Sequence, residues 1–379
     1  MRGTCKTTRI ALAAGLVLFL SHAGVAEVIT VNRSALAVYA GGELNTGSGI
    51  VISGSLAAGG DIWIDNDSTI SANVYGGGAV GMDQNMSVSG RIVSAGDVWI
   101  NKNSTVGAID AGGEVSFGSG VTTAGIRAVG GVTVSSSSQV NGSVQSASDV
   151  SLASKSHVYG DVIYGGKYSK NSKAVVDGQA RRGGAAAPDT WTTEALATST
   201  LGSQGAYRWY NSNSVTSLAS GDYGRFDFGS GSTIYLTQAG TYNFQSLNLG
   251  GNVRIVAQAD SGEIVINIQE DFCAVSGLDF SRVGSNAVTL KAGGDVEIGS
   301  NGQVAATIFN FGQTFNVGSG TVIEGSIYAA GNLWIASNVH VQASIPAEGS
   351  THQQVPEPAT LVLLAMGGVT IMLRRRQVA

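Results

Sequence analysis

Apolar residues recur two apart along much of this chain, with a small or polar residue between them. Examples are Ile62/Ile64, Val80/Met82, Val98/Ile100, Val115/Phe117, Val132/Val134 and Val150/Leu152. That spacing places both members on one face of a strand and turns the residue between them outward. The pairs belong to a longer period. Units starting at Gly54-Ser55-Leu56, Ala72-Asn73-Val74, Gly90-Arg91-Ile92, Gly107-Ala108-Ile109, Gly125-Ile126, Gly142-Ser143-Val144 and Gly160-Asp161-Val162 step by 18, 18, 17, 18, 17 and 18 residues. Ile70, Val88, Val106, Val140 and Val158 supply a third inward position in most units. Each unit therefore reads as three short strands joined by Gly, Ser and Asn turns. One such coil leaves its inward side chains uncovered, so the units must stack, pairing backbone groups at about 4.8 Å per coil around one shared core.

The expected fold class is all-β, a right-handed β-solenoid with three short strands in each coil of about 18 residues. The pattern returns near the C-terminus. Gly331-Asn332-Leu333-Trp334-Ile335 matches Gly60-Asp61-Ile62-Trp63-Ile64 and Gly96-Asp97-Val98-Trp99-Ile100, and Gly294-Asp295-Val296-Glu297-Ile298 is a further copy. A first array is expected over residues 27–180 and a second over 225–347, where Phe226/Phe228, Ile234/Leu236 and Tyr242/Phe244 resume the alternation. Between them the period is lost; residues 181–224 read as a linker with a short helix over Thr190–Gly202. Whether the two arrays form one stack does not follow from the period.

The two ends carry a different signal. Arg2, Lys6 and Arg9 precede an apolar run from Ile10 to Leu20, and Gly24 and Ala26 provide small residues at −3 and −1. That order predicts a secretory signal peptide over residues 1–26, removed by signal peptidase after Ala26. At the other end, after a spacer at residues 348–354, come Pro356-Glu357-Pro358, an uncharged stretch from Ala359 to Leu373, and Arg374-Arg375-Arg376. Fifteen apolar residues make a helix of about 22 Å, short but insertable as a transmembrane anchor, and the arginines beyond it would stay in the cytoplasm. Residues 355–379 resemble a PEP-CTERM sorting signal. The resemblance implies recognition of Pro356, Glu357 and Pro358 by an exosortase-like membrane protease or transpeptidase. It also implies a Gram-negative host that makes exopolysaccharide and biofilm. The repeats resemble bactofilin-like and related polymer-forming β-solenoids, loosely across residues 41–166 and 233–345. Bactofilins are cytoplasmic and lack both end signals, so this likeness implies a stacked coil rather than a cytoskeletal role.

Composition agrees with a turn-rich fold: 55 of 379 residues are Gly and only 12% are charged. Six of the 21 basic residues but one of the 26 acids lie in the end segments, leaving 15 basic against 25 acidic residues, a net of −10. A body that acidic repels phosphate backbones, which argues against nucleic-acid binding. Cys273 is left alone once the signal carrying Cys5 is removed, so neither a disulfide framework nor a cysteine metal site is available. Flanked by Phe272, Ala274 and Val275, it is expected to be a small buried hydrophobe.

Chemistry is sparse. Asp61, Asp97, Glu114 and Asp149 share one coil position, just after a Gly and just before a strand, where a short acid caps turn N–H groups; a weak cation site and a catalytic pair are the alternatives. Only Asp97 and Glu114 fall in adjacent coils. His157, His340 and His352 are too scattered for a triad or a zinc site, and the Gly-rich stretches lack the following helix of a phosphate cradle. No catalytic residue, metal site or cofactor is expected. Trp63, Trp99 and Trp334 each sit between two inward residues and therefore point outward; Trp63 and Trp99 are two coils apart, roughly 10 Å. They either contact a carbohydrate or partner, or are covered by the linker or the second array. The expected function is an exported cell-surface or extracellular-matrix structural or adhesive protein, associated with exopolysaccharide and open to self-association through uncapped coil ends. The rival is a polysaccharide-binding or polysaccharide-cleaving β-helix, which requires acids to converge with Trp63 or Trp99 in one groove.

Overall fold

A computed structural model describes residues 28–184, 187–193, 196, 205–259, 262–283 and 287–343. The signal peptide with Gly24 and Ala26, and the tail with its Pro-Glu-Pro and Arg residues, lie outside the described residues. The body is a parallel β-solenoid whose walls are three sheets of 15 strands each. The only helical segment among the described residues is one 3-10 turn, Arg33–Ala35, and no helix there is long and apolar enough to cross a membrane. The rung at 36–53 defines the walls: Leu36–Ala40 lies in sheet 1, Leu44–Thr46 in sheet 2 and Val51–Ser53 in sheet 3.

The two arrays form one stack, joined in the middle and out of chain order. In sheet 2 the strand Leu44–Thr46 has Ile62–Ile64 on one side and Asn332–Ile335 on the other. The chain thus starts near the centre and winds outward to Ala180–Arg182. It then returns to the opposite end at Arg208–Tyr210, and winds back until His340–Gln342 meets Val51–Ser53. Val38 pairs with Ile327, Leu44 with Leu333 and Ile52 with Val341 across this seam. The Tyr328 hydroxyl donates to the carbonyls of Arg33 and Leu36 at 3.1 and 3.2 Å, and the Asn332 side chain accepts the Glu43 N–H at 2.9 Å. The second array begins at Arg208 rather than Arg225; its first rung carries few aliphatics, which is why the period does not reveal it.

Inward residues run in unbroken columns. Leu44, Ile62, Val80, Val98, Val115, Val132 and Val150 are all essentially inaccessible, and the second array continues the core with larger rings such as Phe226, Phe272 and Phe315.

The turns explain much of the glycine content. Asp61 Oδ1 accepts the Ala79 N–H of the next rung at 2.8 Å, Asp97 Oδ1 accepts from Glu114 at 2.7 Å, and Asp149 Oδ1 accepts from Lys167 at 2.6 Å. The carboxylate that does this occupies the space a side chain would need on the following rung. A Cβ on Gly78 would lie 2.0 Å from Asp61 Oδ1, and one on Gly113 would lie 2.0 Å from Asp97 Oδ1. Asp and Gly are therefore two halves of one contact, repeated up the stack. A second turn column is left-handed, with Gly49 at φ 70°, Asn85 at 60° and Asn103 at 56°, residue types that tolerate that region.

The linker is not helical where it is described. Thr190–Thr192 forms a parallel strand with Val28–Thr30 against the outer face of sheet 1. The reason lies in what that face presents. Tyr39, Ala57, Tyr75 and Val93 point outward yet are buried, and Trp191 covers them, its ring 5.8 Å from that of Tyr75. Beside this cluster Asp189 meets Arg91 and Arg127, which also hold Asp110. The Arg127 contacts to both carboxylates are 2.5 Å, and Asp110 and Asp189 are almost fully buried. Two cations and two anions balance, the condition for keeping charges out of water.

Candidate functional site: a tryptophan column on sheet 2

The middle residue of each sheet 2 strand points outward, and register alone sets what stands beside what. From one side of the seam to the other the sequence of neighbours is Trp99, Gly81, Trp63, Asn45, Trp334. A large ring therefore alternates with a small or polar residue over five successive rungs. The seam is what brings Trp334 into line with the other two. Trp209 belongs to the same outward row at the far end of the second array.

None of these rings is covered by the described residues of the linker or of the second array. Trp63, Trp99 and Trp334 are 44%, 39% and 49% exposed, and the described strand of the return segment, Thr190–Thr192, packs on sheet 1 instead. Trp63 and Trp99 are also closer than two rungs imply. Their ring centroids are 5.7 Å apart and the planes differ by 11°. Gly81 permits this: its missing Cβ would lie 2.2 Å from Trp63 Cε3.

The two rings form one wall of an open groove. Thr46, Gly81, Ser116 and Gly118 line it beside the rings, and Asp65, Asp83 and Asn101 stand at its polar edge. Asp65 accepts from the Ser48 hydroxyl at 3.1 Å and from the Asn66 N–H at 2.8 Å, while Asp83 accepts from the Asn101 amide at 2.8 Å. Acids do converge with the tryptophans, but they are not the ones the repeat singles out. Asp61, Asp97 and Asp149 are spent on turn N–H groups, and Glu114 stands exposed beside Asp97. Asp65 and Asp83 sit just past the inward pair of their strands, so a column drawn through the residue after Ile64 and Met82 would have found them.

The remaining candidates fall elsewhere. No cluster of three or more His, Cys, Asp or Glu able to hold a metal occurs among the described residues. His157 lies 3.0 Å from Asp177 and stacks on Tyr159, and His340 is an exposed residue of sheet 3. Cys273 is not a core residue. It occupies an outward position between Asn248 and Glu297, because the inward places of its strand are taken by Phe272 and Ala274. Burial, and then the nearby carboxylates of Glu297 and Asp271, raise its thiol pKa above the ordinary value.

Among solved structures the chain is similar to an ice binding protein from an Antarctic bacterium, Flavobacteriaceae. The match has 13% identity over 83% of this chain and 98% of that one, with a TM-score of 0.25. It is also similar to the tapirin C-terminal domain of Caldicellulosiruptor kristjanssonii, with 12% identity over 83% of this chain and 94% of that one, and a TM-score of 0.26. No curated protein matches the sequence. The PEP-CTERM protein-sorting motif matches residues 354–376, and a chain carrying that motif is an exported, cell-surface protein processed by signal peptidase and sorted by an exosortase.

Proposed function

We propose that this exported solenoid is a non-catalytic structural or adhesive component of the cell surface that holds extracellular polysaccharide along the tryptophan column of sheet 2. The observation carrying the proposal is the row Trp99–Gly81–Trp63–Asn45–Trp334 on one parallel sheet, with its three tryptophan rings exposed. Trp63 and Trp99 lean together into one aromatic face. The strand carrying Trp334 lies two rungs from that of Trp63, about 10 Å, close to the repeat of two sugars in an extended β-linked chain. A flat aromatic face takes up the apolar face of a pyranose ring. Asp65, Asp83 and Asn101 along the edge offer acceptors and an amide for sugar hydroxyls. The same carboxylates repel uronates, so the favoured ligand is a neutral or amine-bearing glycan rather than an acidic one.

The test is a glycan array followed by calorimetry on the ligand found. Trp63→Ala and Trp99→Ala should each weaken binding about tenfold or more, equivalent to roughly 1.4 kcal/mol, with the melting curve unchanged. Wild-type affinity in both variants would refute the column as the binding surface. The convergence of Asp65 and Asp83 with the tryptophans is the one feature favouring the cleaving alternative. Release of reducing ends by the wild type, lost in Asp83→Asn, would replace binding by hydrolysis or lysis.

A further inference from the structure

The two ends of the solenoid are unlike. The last turn, residues 168–182, belongs to a strongly cationic segment. Lys155, Lys167, Lys170, Lys173, Arg181 and Arg182 lie between residues 155 and 182 against only Asp161 and Asp177, in a body whose net charge is −10. None of the six forms a salt bridge among the described residues. The first turn of the second array with the residue before it, residues 207–222, is aromatic instead. Tyr207, Trp209 and Val215 are 58%, 61% and 71% exposed there. At both ends the terminal strands of all three sheets have a neighbour on one side only among the described residues, and an unpaired edge is a template for another chain.

We infer that these two ends are complementary faces of one joint, and that the protein assembles head to tail with second copies of itself. Register supplies the argument, because every column runs through the whole molecule and so defines what would face what if the columns continued. In sheet 2, Tyr168-Ser169-Lys170 ends the row that Arg208-Trp209-Tyr210 begins. A following copy then sets Arg208 over Tyr168 and Tyr210 over Lys170 at the inward positions of this wall. They lie above Val150 and Leu152 on one side and Phe226 and Phe228 on the other, so that each cation is received by the face of an aromatic ring. Arg208 already lies over its own Phe226 ring at 5.6 Å, so its other face is the one presented. In sheet 3 the outward residues are Val175, 46% exposed, and Val215. In sheet 1 they are Arg181 and Asp222, opposite charges without a salt bridge among the described residues; Asp222 accepts from the Asn243 amide at 2.7 Å. No like charges meet at these positions.

Chain direction agrees. The terminal turn finishes in sheet 1 at Arg182, and the opposite end starts in sheet 2 at Arg208, so a second copy continues the spiral without reversing a strand. The molecule already contains one such joint. At the seam, the strand ending at Gln342 and the strand beginning at Leu36 belong to adjacent rungs with no direct peptide link. Two lysine ends, by contrast, would oppose their cations and run their strands the wrong way. The contact is therefore heterologous and does not close.

Sedimentation velocity and electron microscopy of the full chain test the inference, which does not depend on glycan binding. The expected result is concentration-dependent growth in steps of one molecule, each adding about 70 Å for 15 rungs, weakened by salt. Arg181→Asp and Asp222→Arg should each reduce association at least about tenfold, because each sets like charges at the joint. Mixing the two variants should restore assembly, because alternating copies then set opposite charges at every joint, the natural pair at one and the exchanged pair at the next. Recovery on mixing also shows that both variants are folded. A monomer at every concentration, assembly indifferent to either substitution, or a mixture that stays monomeric would each overturn it.

Discussion

The Trp63 and Trp99 rings lie 5.7 Å apart and within 11° of parallel, although a whole rung separates the strands that carry them. The rung between contributes Gly81, and the space it leaves is filled by the rings leaning together. Gly81→Ala should therefore part the rings. The expected outcome is loss of the coupled tryptophan band in near-ultraviolet circular dichroism, with less than about 1 kcal/mol lost from stability because the rings are on the surface. An unchanged band would mean the rings pair without needing the glycine.

Asp61 and Gly78 should behave as a coupled pair. Asp61→Ala removes the acceptor for the Ala79 N–H and should cost about 1–2 kcal/mol. Gly78→Ala drives a methyl group into the carboxylate, 2.0 Å from Oδ1, and should cost more. The double variant should be more stable than the two single losses predict, since the methyl then fills the space the carboxylate left. Denaturant melts of the four proteins measure this; strict additivity would contradict the interlock.

At the seam, Leu333 is wholly buried against Leu44. Leu333→Ala should cost about 3 kcal/mol. The loss should be local to the middle of the stack, since rungs communicate through their neighbours. Hydrogen exchange should quicken in residues 36–53 and 327–342 and change least at the lysine and aromatic ends. Uniform quickening would show that the seam is not a separable joint.

Cys273 should resist alkylation. Its pKa is raised by burial and by the carboxylates of Glu297 and Asp271, so the thiolate is scarce at neutral pH and the rate should climb as pH rises toward the raised value. Glu297→Gln removes one negative neighbour, lowers that pKa and should speed iodoacetamide labelling at about pH 8 by roughly threefold. Slower labelling in that variant would reverse the sign and refute the cause.

The rung was legible because packing repeats it: Ile62/Ile64 and Val98/Ile100 announce the same strand wherever they occur. So was the role of Asp61, Asp97 and Asp149, since an acid between Gly and a strand has few other uses. What the period cannot carry is which rung follows which when the chain jumps. Leu44 and Leu333 are 289 residues apart, and nothing local in either names the other. The alignment of Trp334 with Trp63 therefore stayed hidden even though each motif was plain. The Arg91–Asp110–Arg127–Asp189 group was missed for another reason. An outward charge on a strand ordinarily faces water, and only the buried outward residues Tyr75 and Val93 nearby hint that something lies on top.

The central seam makes the fold a permuted spiral. Bridging Gln342 to Leu36 by a short peptide and opening the chain in the return segment between Arg182 and Arg208 would give one uninterrupted winding, with its new termini at the two extremities. In the natural order the two extremities are internal to the chain, at Arg182 and Arg208, and the last described strand, His340–Gln342, lies at the middle of the stack.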